Sequence, residues 1–359
     1  MKKVIMICQQ KIPFSISPAR YQMIDELKKR NCFVTVFFPG RIDDIRIRKK
    51  IDRIINTENL SNYQIKNRIK ELTPDIVIGY TIEDAIICST LPYRMKSTRF
   101  YYYNLEIYVC PKKDSFFLDA IKKACFLYNK MKERLFVKGC KALVIQDPLR
   151  KNILKKHGIC HSKTFLIPNS YYCNKECYPV EYVGGLIYTG GLDKCLLESF
   201  MENLRQVKDI KITLSGWKSK WLLDNYINKL KEYPNIELYM HKLPVEKYTE
   251  FISAYDIAFI WYSDRSDDNV YNIGLSSGKF FKHLSIGQPV IVVDFPGIAE
   301  EVRKYQLGVV IEDLTELKDA INEIQTNYEK YTDNVKSTYE MKYDFEKVSK
   351  KFFDFITES

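Results

Sequence analysis

The chain has 359 residues, 46% hydrophobic and 28% charged, a composition typical of a globular protein long enough for two domains. No run approaches the ~18 apolar residues that a membrane-spanning helix needs, and the short apolar run after Met1 lacks the features of a signal peptide. Ten cysteines without regular disulfide spacing predict a reducing cytoplasm. The histidines and cysteines show no complete metal-ligand pattern, so we expect no metal site.

Positive charge is concentrated in the first half of the chain. Residues 1–170 hold 33 Lys and Arg against 15 Asp and Glu, a balance of +18, whereas the remainder carries −7. This asymmetry indicates an anionic partner such as a membrane surface or a phosphorylated lipid. Nucleic acid is not expected, because no recognised binding motif accompanies the charge. A basic face that only meets solvent would produce the same asymmetry.

Short apolar runs alternate with longer amphipathic segments from end to end. Most of the runs are continuously apolar, as strands covered by helices on both faces require, so they predict parallel sheets built from strand–helix–strand units. The strands predicted in the first half are Val4–Cys8, Phe33–Phe38, Ile76–Gly79, Arg99–Tyr103, Ala142–Gln146 and Phe165–Ile167. Those predicted in the second half are Leu186–Tyr188, Ile210–Leu214, Ile236–Met240, Ile257–Tyr262, Pro289–Val293 and Gly308–Ile311.

Helical patterns lie between these strands. Ser17 followed by Pro18 is a typical helix start, with an N-cap residue and then proline at the first helical position. An amphipathic segment near the chain end carries more aromatic surface than water tolerates, so we expect it to dock on another part of the protein. The predicted helices include 115–138, 195–206, 245–254, 278–286, 314–328 and 343–357.

A change of pattern near the middle divides the chain. The segment 168–183 contains two prolines and shows no periodicity, so it predicts a linker. We therefore expect an N-terminal domain over 1–170 and a C-terminal domain over 184–340. The helix over 343–357 is expected to pack back on the first domain.

Two glycine-containing segments of the second half suggest a ligand site. A strand ends in Gly190 and Gly191, where a ligand can approach the backbone closely, although a tight turn without a ligand would use the same pair. Ser276–Gly278 then lead into a helix that carries Lys279 in its first turn. A cation there opposes the helix dipole, and a bound diphosphate would compensate for it. A solvent-facing lysine is the alternative.

The segment 272–294 resembles the donor-site helix and following strand of group 1, family-4-like glycosyltransferases of the GT-B fold. Ser276–Lys279 resemble the start of that helix, and Gly287–Ile291 resemble its Gly-x-Pro-Val strand. The layout of the remaining chain is similar as well. The resemblance implies two Rossmann-like α/β domains that face a central cleft. Two glutamates common in that family would fall at Gly274 and Lys282, and neither position is acidic here.

The resemblance also implies where substrates bind. Ser17 and Arg20 occupy the first loop of the acceptor domain, and Glu106 stands near the family's His-Glu position as a catalytic candidate, although a structural ion pair would account for Glu106 as well. The residues expected to bind the donor nucleotide are Gly190, Gly191, Lys194, Gly216, Ser276, Ser277, Gly278, Lys279 and Lys282.

The implied function is transfer of a sugar from a UDP- or GDP-linked donor to a surface-polysaccharide or lipid-linked saccharide acceptor. The family is usually retaining, and neither a metal nor a further cofactor is expected. The helix over 115–138 combines Phe116, Phe117 and Phe126 with several lysines, which favours peripheral contact with an anionic membrane, or else a core helix with solvated lysines. A sugar-nucleotide epimerase and a non-catalytic sugar- or nucleotide-binding protein are the alternatives.

Overall fold

The computed structural model divides the chain into two compact units. Unit 1 comprises Met1–Asn169 and Val348–Ser359, and unit 2 comprises Ser170–Lys347. The structure describes residues 1–12, 14, 17–42, 44–108, 116–179, 181–191, 210–217, 230, 232–239, 243, 245–262 and 268–358. Helices are numbered over these described residues.

Unit 1 contains a seven-stranded sheet in the order β3-β2-β1-β4-β5-β6-β7, in which every neighbouring pair is parallel. Its strands are β1 (Lys3–Ile7), β2 (Phe33–Phe38), β3 (Arg53–Asn56), β4 (Ile76–Gly79), β5 (Arg99–Tyr103), β6 (Ala142–Ile145) and β7 (Thr164–Leu166). Its described helices are α1 (Pro18–Lys29), α2 (Ile45–Lys50), α3 (Asn62–Glu71), α4 (Ile82–Cys88), α5 (Leu91–Arg94), α6 (Phe116–Gly139) and α7 (Pro148–Lys156).

Unit 2 contains a six-stranded sheet in the order β10-β9-β8-β11-β12-β13, again parallel throughout. Its strands are β8 (Leu186–Gly191), β9 (Ile212–Trp217), β10 (Ile236–Tyr239), β11 (Ile257–Ile260), β12 (Val290–Val293) and β13 (Gly308–Ile311). Its described helices are α8 (Val245–Ser253), α9 (Asp268–Tyr271), α10 (Gly278–Leu284), α11 (Ile298–Tyr305), α12 (Leu317–Thr326) and α13 (Tyr328–Thr338).

The prediction of two Rossmann-like parallel sheets is confirmed. Continuously apolar strands such as β4, β6, β11 and β12 are buried over their whole length, as strands between two helical layers must be. The prediction of six strands in the first sheet is wrong by one. Strand β3 lies at the sheet edge, where its polar ends, Arg53 and Asn56, remain exposed, so its sequence lacks the apolar run of a central strand.

Two predicted helices differ from the structure. The segment 314–328 is interrupted: a 3₁₀ turn at Leu314–Glu316 precedes α12, and Asn327 ends α12 before α13 begins. The segment 195–206 lies outside the described residues.

The last helix, α14 (Phe345–Glu358), carries most of its residues in unit 1. Phe352 and Phe355 approach the ring of Tyr101 at centroid distances of 5.9 Å and 6.2 Å, both edge-on. Phe352 is completely buried. Burial against the sheet of unit 1 therefore accounts for the aromatic face of this segment. No helix among the described residues is long and apolar enough to cross a membrane.

Candidate functional site

The sheet of unit 2 offers one position where its chain order reverses. Strand β8 pairs with β9 on one side and with β11 on the other, so the chain order reverses between β8 and β11. In doubly wound sheets, such a position marks a crevice beyond the carboxyl ends of the two strands. Ligands of doubly wound sheets bind in such crevices. Thr189 and Gly190 lie at the end of β8, and Trp261 and Tyr262 directly follow β11.

Lys279 extends from α10 to this crevice. Its ammonium donates to the carbonyl of Trp261 at 2.7 Å and lies 3.8 Å from the ring centroid of Tyr262 and 5.0 Å from that of Tyr188. Two aromatic faces and a carbonyl therefore hold a positive charge in place. A Cβ atom added at Gly190 would lie 3.7 Å from the ammonium, so the lysine reaches the glycine turn that the sequence pattern indicated as a ligand site.

The glycines of the crevice sit side by side on neighbouring strands. Gly190 of β8 pairs with Gly216 of β9, and Gly191 pairs with Trp217. Gly190 has φ +144°, and a Cβ there would stand 3.2 Å from the hydroxyl of Tyr188. Glycine is required by this conformation, and the pair leaves the backbone at the carboxyl ends of β8 and β9 open to close approach.

The serines at the start of α10 serve the local structure. The Ser277 hydroxyl accepts from the Phe280 amide at 3.2 Å and lies 2.6 Å from the Tyr262 hydroxyl, while the Ser277 amide donates to Gly274. The Ser276 hydroxyl donates to the carbonyl of Ile273. Both hydroxyls are therefore engaged in local hydrogen bonds, and the positive charge at this helix start comes from Lys279.

A buried histidine ties α10 to the end of β8. The Gln288 side-chain amide donates to the carbonyls of Ile252 and Tyr255, so its oxygen faces His283 Nδ1 at 2.6 Å and accepts that proton. His283 Nε2 then accepts from the Thr189 hydroxyl at 2.9 Å. Burial lowers the pKa of His283 to about 4, so the ring is neutral near pH 7. This chain of bonds fixes the strand end that leads into the glycine pair.

Lys282, one turn further along α10, contacts different partners. Its ammonium donates to the Thr249 hydroxyl on α8 at 2.6 Å and lies 5.1 Å from the ring centroid of Tyr171. Burial lowers the pKa of Lys282 to about 8. These contacts hold Lys282 against α8 rather than beside Lys279, and its inclusion in the donor site stays a prediction. Lys194 lies outside the described residues.

Glu106 lies at the carboxyl edge of the sheet of unit 1. It follows β5, and its exposed carboxylate accepts a hydrogen bond from the Gln10 side chain at 2.9 Å, where Gln10 follows β1. Arg150, in the first turn of α7, is buried, and burial lowers its pKa to about 10. The negative charges of Asp147 and Glu106 raise this pKa and so offset part of the effect of burial. A carboxylate and a guanidinium thus share this edge.

Ser17 and Arg20 begin helix α1 of the same unit. The Ser17 carbonyl accepts from the amides of Arg20 and Tyr21, so the predicted helix start is confirmed. Arg20 is completely buried, and its guanidinium donates to the carbonyls of Gln10 and Ile12, at 3.4 Å and 3.0 Å. Arg20 therefore holds the segment that follows β1, and a direct role toward the acceptor stays a prediction.

Several side chains near the crevice are not predicted by the sequence analysis. Tyr188 and Tyr262 flank the Lys279 ammonium, and His283 and Thr189 fix the end of β8. Each lies at the carboxyl end of a strand or on the Lys279 face of α10. Tyr188, Thr189 and Tyr262 lie at or next to the ends of predicted strands, and this position is the sequence feature that could have indicated them.

Comparisons with known proteins agree with this architecture. Residues 186–343 match the model of the glucosyltransferase 3-like, C-terminal domain. No curated protein matches the sequence significantly.

Solved structures resemble the whole chain. Sucrose-phosphate synthase (tll1590) from Thermosynechococcus elongatus has 12% sequence identity and a TM-score of 0.70, over 100% of this chain and 99% of that one. Anabaena Alr3699/HepE in complex with UDP also has 12% identity and a TM-score of 0.70, over 100% of both chains. WaaG, a glycosyltransferase involved in lipopolysaccharide biosynthesis, has 15% identity and a TM-score of 0.67, over 99% and 100%. At such identities the shared feature is the fold, which confirms the resemblance to GT-B glycosyltransferases.

Proposed function

Because the chain has the GT-B glycosyltransferase fold and its second unit matches a glucosyltransferase 3-like domain, we propose that it transfers a sugar from a nucleotide-sugar donor to a hydroxyl of a saccharide acceptor. The observation that carries this proposal is the Lys279 ammonium, held by Trp261 and Tyr262 at the crevice where β8 and β11 end. A fixed positive charge at that place suits a diphosphate.

The donor diphosphate lies against Lys279 and the open backbone of the Gly190–Gly216 pair in this proposal. As the bond between sugar and nucleotide breaks, negative charge grows on the departing nucleoside diphosphate. Lys279 stabilises that charge without having to move, because its ammonium is already held in place. A lysine in this role lets the reaction proceed without a metal ion. UDP and GDP are the nucleotides proposed, and UDP is supported by the UDP complex of HepE.

The acceptor is proposed to be a surface-polysaccharide or lipid-linked saccharide, bound by unit 1. Glu106 is the candidate to orient the acceptor hydroxyl through a hydrogen bond or to accept its proton, because its carboxylate is exposed at the carboxyl edge of that sheet. Retention of the anomeric configuration is proposed from the resemblance to the family. The involvement of WaaG in lipopolysaccharide biosynthesis supports a saccharide acceptor of this class.

The proposed location is the cytoplasm, at the inner face of the cytoplasmic membrane. The cytoplasmic leaflet carries anionic lipids that attract basic surfaces. The balance of +18 over residues 1–170 supports contact with such a leaflet, and a lipid-linked acceptor would be presented there.

The transfer reaction is tested with the full chain and a panel of UDP- and GDP-linked sugars, by measuring release of the nucleoside diphosphate with and without saccharide acceptors. We expect release with one donor, and we expect Lys279→Ala to reduce it about a hundredfold. Lys318→Ala, an exposed lysine of α12, is the matched control and should leave release unchanged.

Two other outcomes would replace the proposal. Conversion of the donor sugar to its epimer, without an acceptor, would identify a sugar-nucleotide epimerase, a class that shares this fold. Nucleotide-sugar binding without release or conversion would identify a binding protein.

A further inference from the structure

Helix α6 exposes an apolar stripe on the side that faces away from the core. Of its side chains, Ile121 is 48% exposed, Leu127 56%, Tyr128 54% and Met131 53%. Spacings of three, four and seven residues place side chains on one face of a helix, and these four meet that condition. Ala124 lies within the same stripe and is also exposed.

The opposite face of α6 already supplies its packing. Phe136 and Val137 are buried in the core of unit 1, and Glu133 is completely buried. Phe126 stacks on Tyr108 at a centroid distance of 5.4 Å. Unit 1 therefore does not need the outer stripe in order to fold.

This arrangement corrects the residues on which membrane contact was predicted. Phe126 and Lys130 are turned inward, because Phe126 packs on Tyr108 and Lys130 pairs with Glu133. The outward apolar residues are instead the four of the stripe. The side chains of Phe116 and Phe117 lie outside the described residues.

Basic residues border the stripe. Residues 120–139 contain five lysines and arginines besides the inward Lys130 but one acidic residue, Glu133, which is buried. Lys123, Arg134 and Lys138 are exposed on one border, and Lys132 lies over the Tyr128 ring at 5.2 Å on the other. An apolar strip flanked by cations is the surface that a helix lying in a bilayer interface presents.

We propose that this face of α6 docks unit 1 on an anionic phospholipid bilayer, with the four apolar side chains in the headgroup region and the bordering cations on lipid phosphates. Charge distinguishes a bilayer from a second copy of the chain. A symmetric pair would place the same basic borders against each other, whereas an anionic leaflet neutralises them. The inference rests on the membrane location proposed above, but it does not depend on the transfer reaction.

Vesicle flotation tests the proposal with the full chain and no nucleotide present. We expect binding to phosphatidylcholine vesicles that contain phosphatidylglycerol, weaker binding to phosphatidylcholine alone, and loss of binding as salt is raised. Leu127→Ser/Met131→Ser should weaken binding about tenfold or more. Lys123→Glu/Lys138→Glu should weaken it further, by about fivefold for each lysine lost.

The matched control replaces apolar residues exposed elsewhere in unit 1. Ile45 is 64% and Tyr63 72% exposed, and Ile45→Ser/Tyr63→Ser should bind vesicles like the wild type. Equal binding by the stripe variant, with an unchanged melting temperature, would overturn the proposal. So would an absence of wild-type binding at low salt, or a dimer in sedimentation that the stripe variant abolishes. Nucleotide binding is measured on the same preparations. Retained nucleotide binding without vesicle binding would count against this surface alone, and not against the proposed function.

Discussion

The buried ion pair of α6 offers a sharp test of how unit 1 is held together. Lys130 Nζ lies 3.1 Å from Glu133 Oε2, and the two side chains are 3% and 0% exposed. Glu133 also accepts from the Tyr102 hydroxyl at 2.9 Å and from the Asn104 amide at 3.4 Å. At this distance and an effective dielectric constant of about 20, the attraction is about 5 kcal/mol, which offsets much of the cost of burying both charges.

Lys130→Met removes one charge and leaves the other buried without its partner. We expect it to lower the free energy of unfolding of unit 1 by about 3–5 kcal/mol. Lys130→Met/Glu133→Gln should recover at least about 1.5 kcal/mol relative to the sum of the two single variants, because no uncompensated charge is left. Lys123→Met, on the exposed face of the same helix, should change stability by less than about 0.5 kcal/mol.

Urea unfolding followed by far-ultraviolet circular dichroism measures these differences. All three tryptophans, Trp217, Trp221 and Trp261, lie in unit 2, so tryptophan fluorescence of the same samples serves as an internal reference. A loss below about 1 kcal/mol for Lys130→Met, or strict additivity in the double variant, would refute the reasoning.

Three further predictions concern unit 2. Burial holds the pKa of His283 at about 4, below its unfolded value of about 6.5, so the folded state should lose up to about 3 kcal/mol of stability as pH falls from 6.5 to 4. His283→Gln should make stability less dependent on pH in this range, as measured by urea unfolding followed by tryptophan fluorescence. The lowered pKa of Lys282 means that keeping this lysine charged costs stability in the folded state at about pH 7. Lys282→Met should therefore raise stability at about pH 7, by no more than about 2 kcal/mol because the side chain is partly exposed to solvent. The gain should shrink by about pH 9.5, where the folded protein already holds Lys282 neutral. An unchanged gain across that range would contradict the assignment. Gly190→Val should abolish nucleotide binding in calorimetry while the protein remains folded, because a branched side chain strains φ +144° and enters the space beside Lys279.

Most of the fold could be predicted from the sequence because its strands are buried on both faces. Strands such as β4 and β12 are short continuous apolar runs, and runs of this kind between amphipathic helices are typical of central parallel strands. Strand β3 could not be predicted in this way. It pairs on one side and exposes Arg53 and Asn56, so its formation depends on the neighbouring strand rather than on its own pattern.

The candidate site could be predicted only in part. Lys279 was identified because a cation in the first turn of a helix needs a compensating partner. Its aromatic neighbours could not be predicted, since Tyr188 lies on β8 and Tyr262 follows β11, about 90 and 20 residues away in sequence, and their proximity depends on the sheet order. The inward turn of Lys130 was missed for a similar reason, because sequence periodicity alone does not show that Glu133 is buried beside it.

Titration of the full chain with UDP and with GDP by isothermal calorimetry, for the wild type and for Lys279→Ala, tests the central claim most directly. We predict that one nucleotide binds the wild type at a single site and that Lys279→Ala weakens this binding at least about tenfold, whereas Lys318→Ala binds like the wild type. Equal affinity of the wild type and Lys279→Ala would contradict a donor site at the crevice between β8 and β11. The absence of binding by either nucleotide would contradict a UDP- or GDP-linked donor altogether.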